Sequence, residues 1–195
     1  MRRITFLILL IIFLSASFQR NLLWKNEIGL WEDVVKKASK KERGHTGLFE
    51  AHYNLGLAYY NHGRIDEAVM EYLTAIELNP DDMETHNNLG NAYANKGLFD
   101  MAIKEYLAAL KISPNYAPAY NNIGNVYHIQ GRLDEAIVEY LKALSIAPSY
   151  IDAHYNLGII YMAKGLKDKA RKEFEMVLKL KPDFTEAQEA IKRLN

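Results

Sequence analysis

The stretch "AYNNIGNVYHIQGRLDEAIVEYLKALSIAP", residues 119–148, decides the fold. Ile123, Val126 and Tyr127 fall on one side of a helical period, Gly131 interrupts it, and a second helical run ends at Pro148. Asparagines stand at 121, 122 and 125, although the amide side chain competes for nearby backbone groups and makes a poor helix former. Three within a turn and a half ask for a purpose beyond helix formation.

The same pattern recurs every 34 residues. One column reads Asn54, Asn88, Asn122 and Asn156, and another Gly56, Gly90, Gly124 and Gly158. Tyr59, Tyr93, Tyr127 and Tyr161 follow, then Gly63, Gly97, Gly131 and Gly165. Asp66, Asp100, Asp134 and Asp168 are in register with Ala68, Ala102, Ala136 and Ala170. Tyr72, Tyr106, Tyr140 and Phe174 precede Pro80, Pro114, Pro148 and Pro182.

Each unit reads as two antiparallel helices. Asp81, Asn115, Ser149 and Asp183 are placed to cap the first helix, with Glu84 and Glu186 three residues beyond the two aspartates. The glycine column supplies a left-handed turn, and the aspartate three residues later is expected to cap the second helix. Leu55, Gly56 and Tyr59 face Ala68, Tyr72, Ala75 and Ile76, so large rings meet small residues. No unit buries both faces alone, and neighbours must stack.

This spacing, with Leu-Gly-x-x-Tyr, Ala, Tyr/Phe and Pro in register, resembles the tetratricopeptide repeat (TPR). The resemblance covers residues 49–82, 83–116, 117–150 and 151–184, and implies an all-α, right-handed solenoid of helix pairs. The family's tryptophan position holds His52, His86, Tyr120 and His154 instead. Residues 185–195, with Ile191 and Leu194 apolar and Lys192 in the glycine column, read as a capping helix.

In such arrays the first helices line a concave groove, as the resemblance implies. The groove then carries Tyr53, Asn54, Leu57 and Tyr60, followed by Asn87, Asn88, Asn91 and Asn95. Asn121, Asn122, Asn125 and His128 come next, then Tyr155, Asn156, Ile159 and Met162. Amides both donate and accept, so a ladder of them suits the main chain of an extended peptide or protein partner. The ladder and the phrase "NNIGNVY" resemble the repeat superhelix of the O-linked N-acetylglucosamine transferases. Asparagine in the column of Asn54 has a second reading, a bond to a neighbouring helix. The carboxylate clamp known in the family needs Lys or Arg on this face, which has none.

The 195 residues are 49% hydrophobic and 25% charged with no net charge, which is globular composition. Charge is uneven: residues 2–43 carry nine positive against four negative groups, and residues from 49 onward fifteen against twenty. An acidic body without a Lys/Arg stripe argues against nucleic acid. Without cysteine there is no disulfide framework or thiolate chemistry. His52, His86 and His154 lie a repeat apart, too far to share one metal, and read as packing residues. No phosphate loop, His-Glu-x-x-His helix or nucleophile elbow occurs, so no catalytic residue, metal or cofactor is assigned.

"MRRITFLILLIIFLSASFQR" opens with two arginines before an apolar run, and residues 1–18 fit either a signal peptide or a membrane anchor acting through residues 4–18. Arg2 and Arg3 favour a cytoplasmic start, which puts the repeats on the extracytoplasmic side, periplasmic in a bacterium. In residues 19–48, Ile28, Trp31, Val34, Val35 and Ala38 share one helix face, expected to pack on the first repeat, and "KKERGHTG" at 40–47 reads as a basic loop. "RNLLWKNEIGLWEDVVKKAS" resembles the junction between membrane part and repeats in O-mannosyltransferase-type proteins, where catalysis lies in the membrane part. Three functions follow: a non-enzymatic adaptor, the acceptor-recognition tail of a membrane glycosyltransferase, or a self-assembling solenoid.

Overall fold

The computed structural model describes residues 27–40 and 45–194 of the chain, and among them it has ten helices and no strand. They are α1 (Glu27–Lys40), α2 (His45–Asn61), α3 (Ile65–Leu78), α4 (Met83–Asn95), α5 (Phe99–Ile112), α6 (Ala117–Ile129), α7 (Leu133–Ile146), α8 (Ile151–Ala163), α9 (Lys167–Leu180) and α10 (Thr185–Leu194). The leader, with the apolar run at residues 4–18, lies outside the described residues. Among the described helices none is long and apolar enough to cross a membrane. The helices form two units, one ending at Pro80 and one beginning at Asp81.

In the first unit α1 packs on α2, and α2 on α3. Ile28 is buried, and Trp31, Val34, Val35 and Ala38 are half-buried, as their shared face predicts. Tyr59 secures the contact by donating its hydroxyl to Glu32 Oε1 at 2.7 Å. Burial, then the hydrogen bond and charge of Glu32, push the Tyr59 hydroxyl up to about 12. Helix α2 begins at His45, so its first turn takes up part of the loop expected at 40–47; the start of that loop, residues 41–44, lies outside the described residues.

The second unit is three hairpins, α4–α5, α6–α7 and α8–α9, followed by α10. Each hairpin packs on the next, and the first helices also touch along the series α4, α6, α8. Burial explains why these residues recur: Ala102, Ala136 and Ala170 are fully buried, and so are Tyr140 and Phe174. A Cβ on Gly124 would sit 2.6 Å from the Tyr140 ring, and one on Gly90 2.5 Å from Tyr106. These glycines let the ring of the second helix lie on the backbone of the first. Ala187, Ala190 and Leu194 of α10 are buried and close the last hairpin, while Lys192 stays exposed.

The turn glycines have φ from 72° to 75°, the left-handed conformation expected of them. The caps are a correction. Helix α4 is capped one residue later than expected, where Asp82 accepts from the Thr85 amide at 2.8 Å and from its hydroxyl at 2.6 Å. Tyr116 and Tyr150 hold the N-cap positions of α6 and α8 without a side-chain bond, so Asn115 and Ser149 do not cap. The second helices are entered from Arg64, Leu98, Arg132 and Leu166, which puts Asp66, Asp100, Asp134 and Asp168 inside the first turn. There they oppose the positive end of the helix dipole.

Candidate functional site

The asparagines of the second unit form one hydrogen-bonded ladder. Asn122 Nδ2 on α6 donates to Asn87 Oδ1 at 2.9 Å and to Asn91 Oδ1 at 3.0 Å, both on α4. One repeat on, Asn156 Nδ2 on α8 donates to Asn121 Oδ1 at 3.3 Å and Asn125 Oδ1 at 2.9 Å. Asn121 Nδ2 reaches Asn122 Oδ1 at 3.4 Å. Asn87 and Asn121 are 6% and 4% exposed, so their carboxamides are spent between turns of the stack. The neighbour-helix duty considered for the column of Asn54 is what Asn122 and Asn156 perform. Asn54 itself turns back to the Glu50 carbonyl at 2.7 Å.

Two tyrosines complete the arrangement. Tyr106 donates its hydroxyl to Asn91 Oδ1 at 2.9 Å, and Tyr140 to Asn125 Oδ1 at 2.8 Å. Each of these oxygens therefore accepts twice, from a tyrosine below and an asparagine alongside. That fixes the amide's orientation and leaves the Nδ2 groups of half-buried Asn91 and Asn125 without a protein acceptor among the described residues. The sequence left Tyr106 and Tyr140 out of the site, although a signal was there. Where Phe174 replaces tyrosine, Ile159 replaces asparagine.

The remaining candidates are placed as follows. On α4, Asn88 is half-buried and already engaged, and Asn95 is exposed. On α6, His128 is half-buried. On α8, Tyr155 lies 5.8 Å from Phe174 and 5.2 Å from Phe184, while Ile159 and Met162 pack on the same core. In the first unit, Tyr53 lies 6.3 Å from Phe49 and 6.4 Å from Tyr72, with Leu57 and Tyr60 half-buried on the same helix. The Tyr72 hydroxyl is buried without a partner, because Leu57 stands where Asn91 and Asn125 stand in the next repeats.

The histidine column does more than pack. His52, His86 and His154 each set Nδ1 against a glutamate of the second helix, Glu71, Glu105 and Glu173, at 2.6, 2.8 and 2.6 Å. His154 Nε2 also lies 3.0 Å from the Pro148 carbonyl. Tyr120 and Gln188, in the same column, donate to Pro114 and Pro182 at 3.3 and 2.9 Å. At 120, 154 and 188 the column ties a helix to the turn before it. No metal-binding cluster occurs among the described residues.

The models described as TPR repeat match residues 62–97, 95–130 and 124–165, and that described as tetratricopeptide repeat matches 151–184. Together they span more than half of the chain. The chain belongs to the tetratricopeptide repeat family. It is a repeat scaffold for protein interaction, and nothing in the family match points to catalysis. A search of curated proteins found no significant match. Among solved TPR structures, MamA is 28% identical with a TM-score of 0.66, over 82% of this chain and 89% of that one. The Pseudomonas aeruginosa pilF structure is 25% identical with a TM-score of 0.71, over 78% and 69%. TTC0263, a thermophilic TPR protein of Thermus thermophilus, shares the fold at 20% identity and a TM-score of 0.70, over 92% and 95%.

Proposed function

We propose that this TPR protein is a non-enzymatic adaptor, anchored to a membrane or exported through its leader, which binds an extended peptide of a partner protein along the asparagine face of its first helices. The observation that carries the reading is the double acceptance at Asn91 Oδ1 and Asn125 Oδ1, which holds two N–H₂ donors in place with no acceptor of their own among the described residues. Oriented donors lose little freedom on binding, and that is where affinity is usually lost.

Their spacing suits a main chain. Packed helices lie about 8–10 Å apart, and a polyproline II peptide repeats its carbonyl direction every third residue, about 9 Å along its axis. Asn91 and Asn125, one repeat apart, match successive turns of such a peptide. Tyr155, Ile159 and Met162 offer apolar contact for its side chains at one end. Recognition of this kind reads backbone more than sequence.

The test is the pair Asn91→Asp and Asn125→Asp. Aspartate keeps an oxygen for the tyrosine hydroxyl and the neighbouring amide but replaces the donor by a second acceptor. A partner captured by crosslinking in native membranes is expected to lose at least tenfold in affinity for the double variant. Unchanged affinity, with folding intact by circular dichroism, would rule the reading out.

A further inference from the structure

On the opposite side of α6 from the asparagines, α5, α6 and α7 enclose a half-open cavity of about 360 Å³. Its apolar wall is Ile103, Leu107, Leu110 and Ile123, and Lys111, Lys142 and Glu139 stand at its rim. Lys142 is paired with Glu139 at 2.8 Å. Lys111 has no ion-pair partner among the described residues, nor has Lys104, one turn before Leu107 on the same face of α5. Leu107, part of this lining, is 53% exposed. The site is a slot with an apolar wall and unbalanced positive charge.

The chain carries a complementary surface of its own. In α3 the equivalent stripe is Met70, Leu73 and Glu77, with Met70 66% and Leu73 42% exposed. Glu77 has no ion-pair partner among the described residues. The same three columns thus read Met-Leu-Glu on α3 and Lys-Leu-Lys on α5. We infer that the α3 stripe of one copy docks on the α5–α7 slot of a second copy, with Met70 or Leu73 entering the cavity and Glu77 meeting Lys104 and Lys111. The two surfaces differ, so the contact is heterologous and each copy keeps one of each free for the next. It uses a face the proposed peptide site does not.

The chain has no cysteine, which makes a crosslinking test clean. Full-length Leu73→Cys and Leu107→Cys proteins are mixed, bridged with a short bismaleimide and resolved on a denaturing gel. Mixed dimer is expected at a yield well above that of Leu73→Cys with an Asp152→Cys control. Adding Glu77→Lys to the first protein is expected to lower the yield about tenfold, and adding Lys111→Glu to the second to restore it. Yield equal to the control, no response to Glu77→Lys, or no rescue by the compensating reversal each overturns the proposal. Circular dichroism of every variant excludes misfolding as the cause of a loss.

Discussion

Tyr140 and Asn125 are bonded hydroxyl to amide oxygen at 2.8 Å, and the pair ties the two helices of one hairpin together beneath a surface amide. Tyr106 and Asn91 repeat it. The last repeat replaces both members by Phe174 and Ile159, giving up donor and acceptor together. The first repeat keeps Tyr72 but has Leu57, which strands a hydroxyl in the core. An unpaired buried donor costs about 1–3 kcal/mol, whereas losing both partners at once is close to neutral.

Tyr72→Phe is therefore expected to stabilise the first hairpin by about 1 kcal/mol. Leu57→Asn, which supplies the acceptor, is expected to move stability the same way. Urea unfolding checks both, and a lower midpoint for Tyr72→Phe would refute the account.

Tyr140→Phe is expected to destabilise by about 1–2 kcal/mol, since it leaves Asn125 with one donor fewer. Combined with Asn125→Ile, which reproduces the last repeat, much of that loss should return. A double-mutant cycle measures the coupling, and strict additivity of the two changes would contradict it.

Two glycines should fail for different reasons. Gly124→Ala drives a Cβ to 2.6 Å from Tyr140, and overpacking of this kind costs about 1–3 kcal/mol. Gly131→Ala meets nothing within 4 Å but holds φ at 75°, where an L residue pays roughly 1 kcal/mol. Shortening the ring with Tyr140→Leu should relieve the first change and leave the second untouched, which thermal unfolding of the single and combined variants would reveal.

Burial raises the Tyr72 and Tyr140 hydroxyls above their ordinary value of 10.0. A group whose proton is held more tightly in the folded state contributes stability that is complete below the unfolded value and lost as pH climbs through the folded one. The contribution of these two hydroxyls should be flat below about pH 9 and fall above about pH 10. Tyr72→Phe should shallow that fall, and an unchanged alkaline slope would count against it.

His154→Gln is expected to keep the tie to Pro148, as Gln188 does to Pro182, and to lose the contact with Glu173. His154→Phe gives up both. The phenylalanine variant should be the less stable by about 1 kcal/mol, read from urea midpoints.

Repeat period and the glycine turns were legible in the sequence because each column has one physical duty, a φ angle or a close approach. Caps were less so: Asn115 and Ser149 have the right chemistry, yet the turn places Tyr116 and Tyr150 at the N-cap, and backbone geometry outranks side-chain suitability. The asparagines were half legible. Their shared face follows from helical spacing, but whether a carboxamide faces outward or bonds the next helix depends on the neighbouring repeat, which places Asn87 within reach of Asn122. The pairing of His154 with Glu173 spans two helices and escapes any reading along one.

The ladder of Asn87, Asn122, Asn121 and Asn156 ties successive first helices by bonds that run along the stack. Tension applied along the second unit would load these links in series, so yielding at one carboxamide is passed to the next. Under force the three hairpins should stiffen and give way together, as leaves of a single spring.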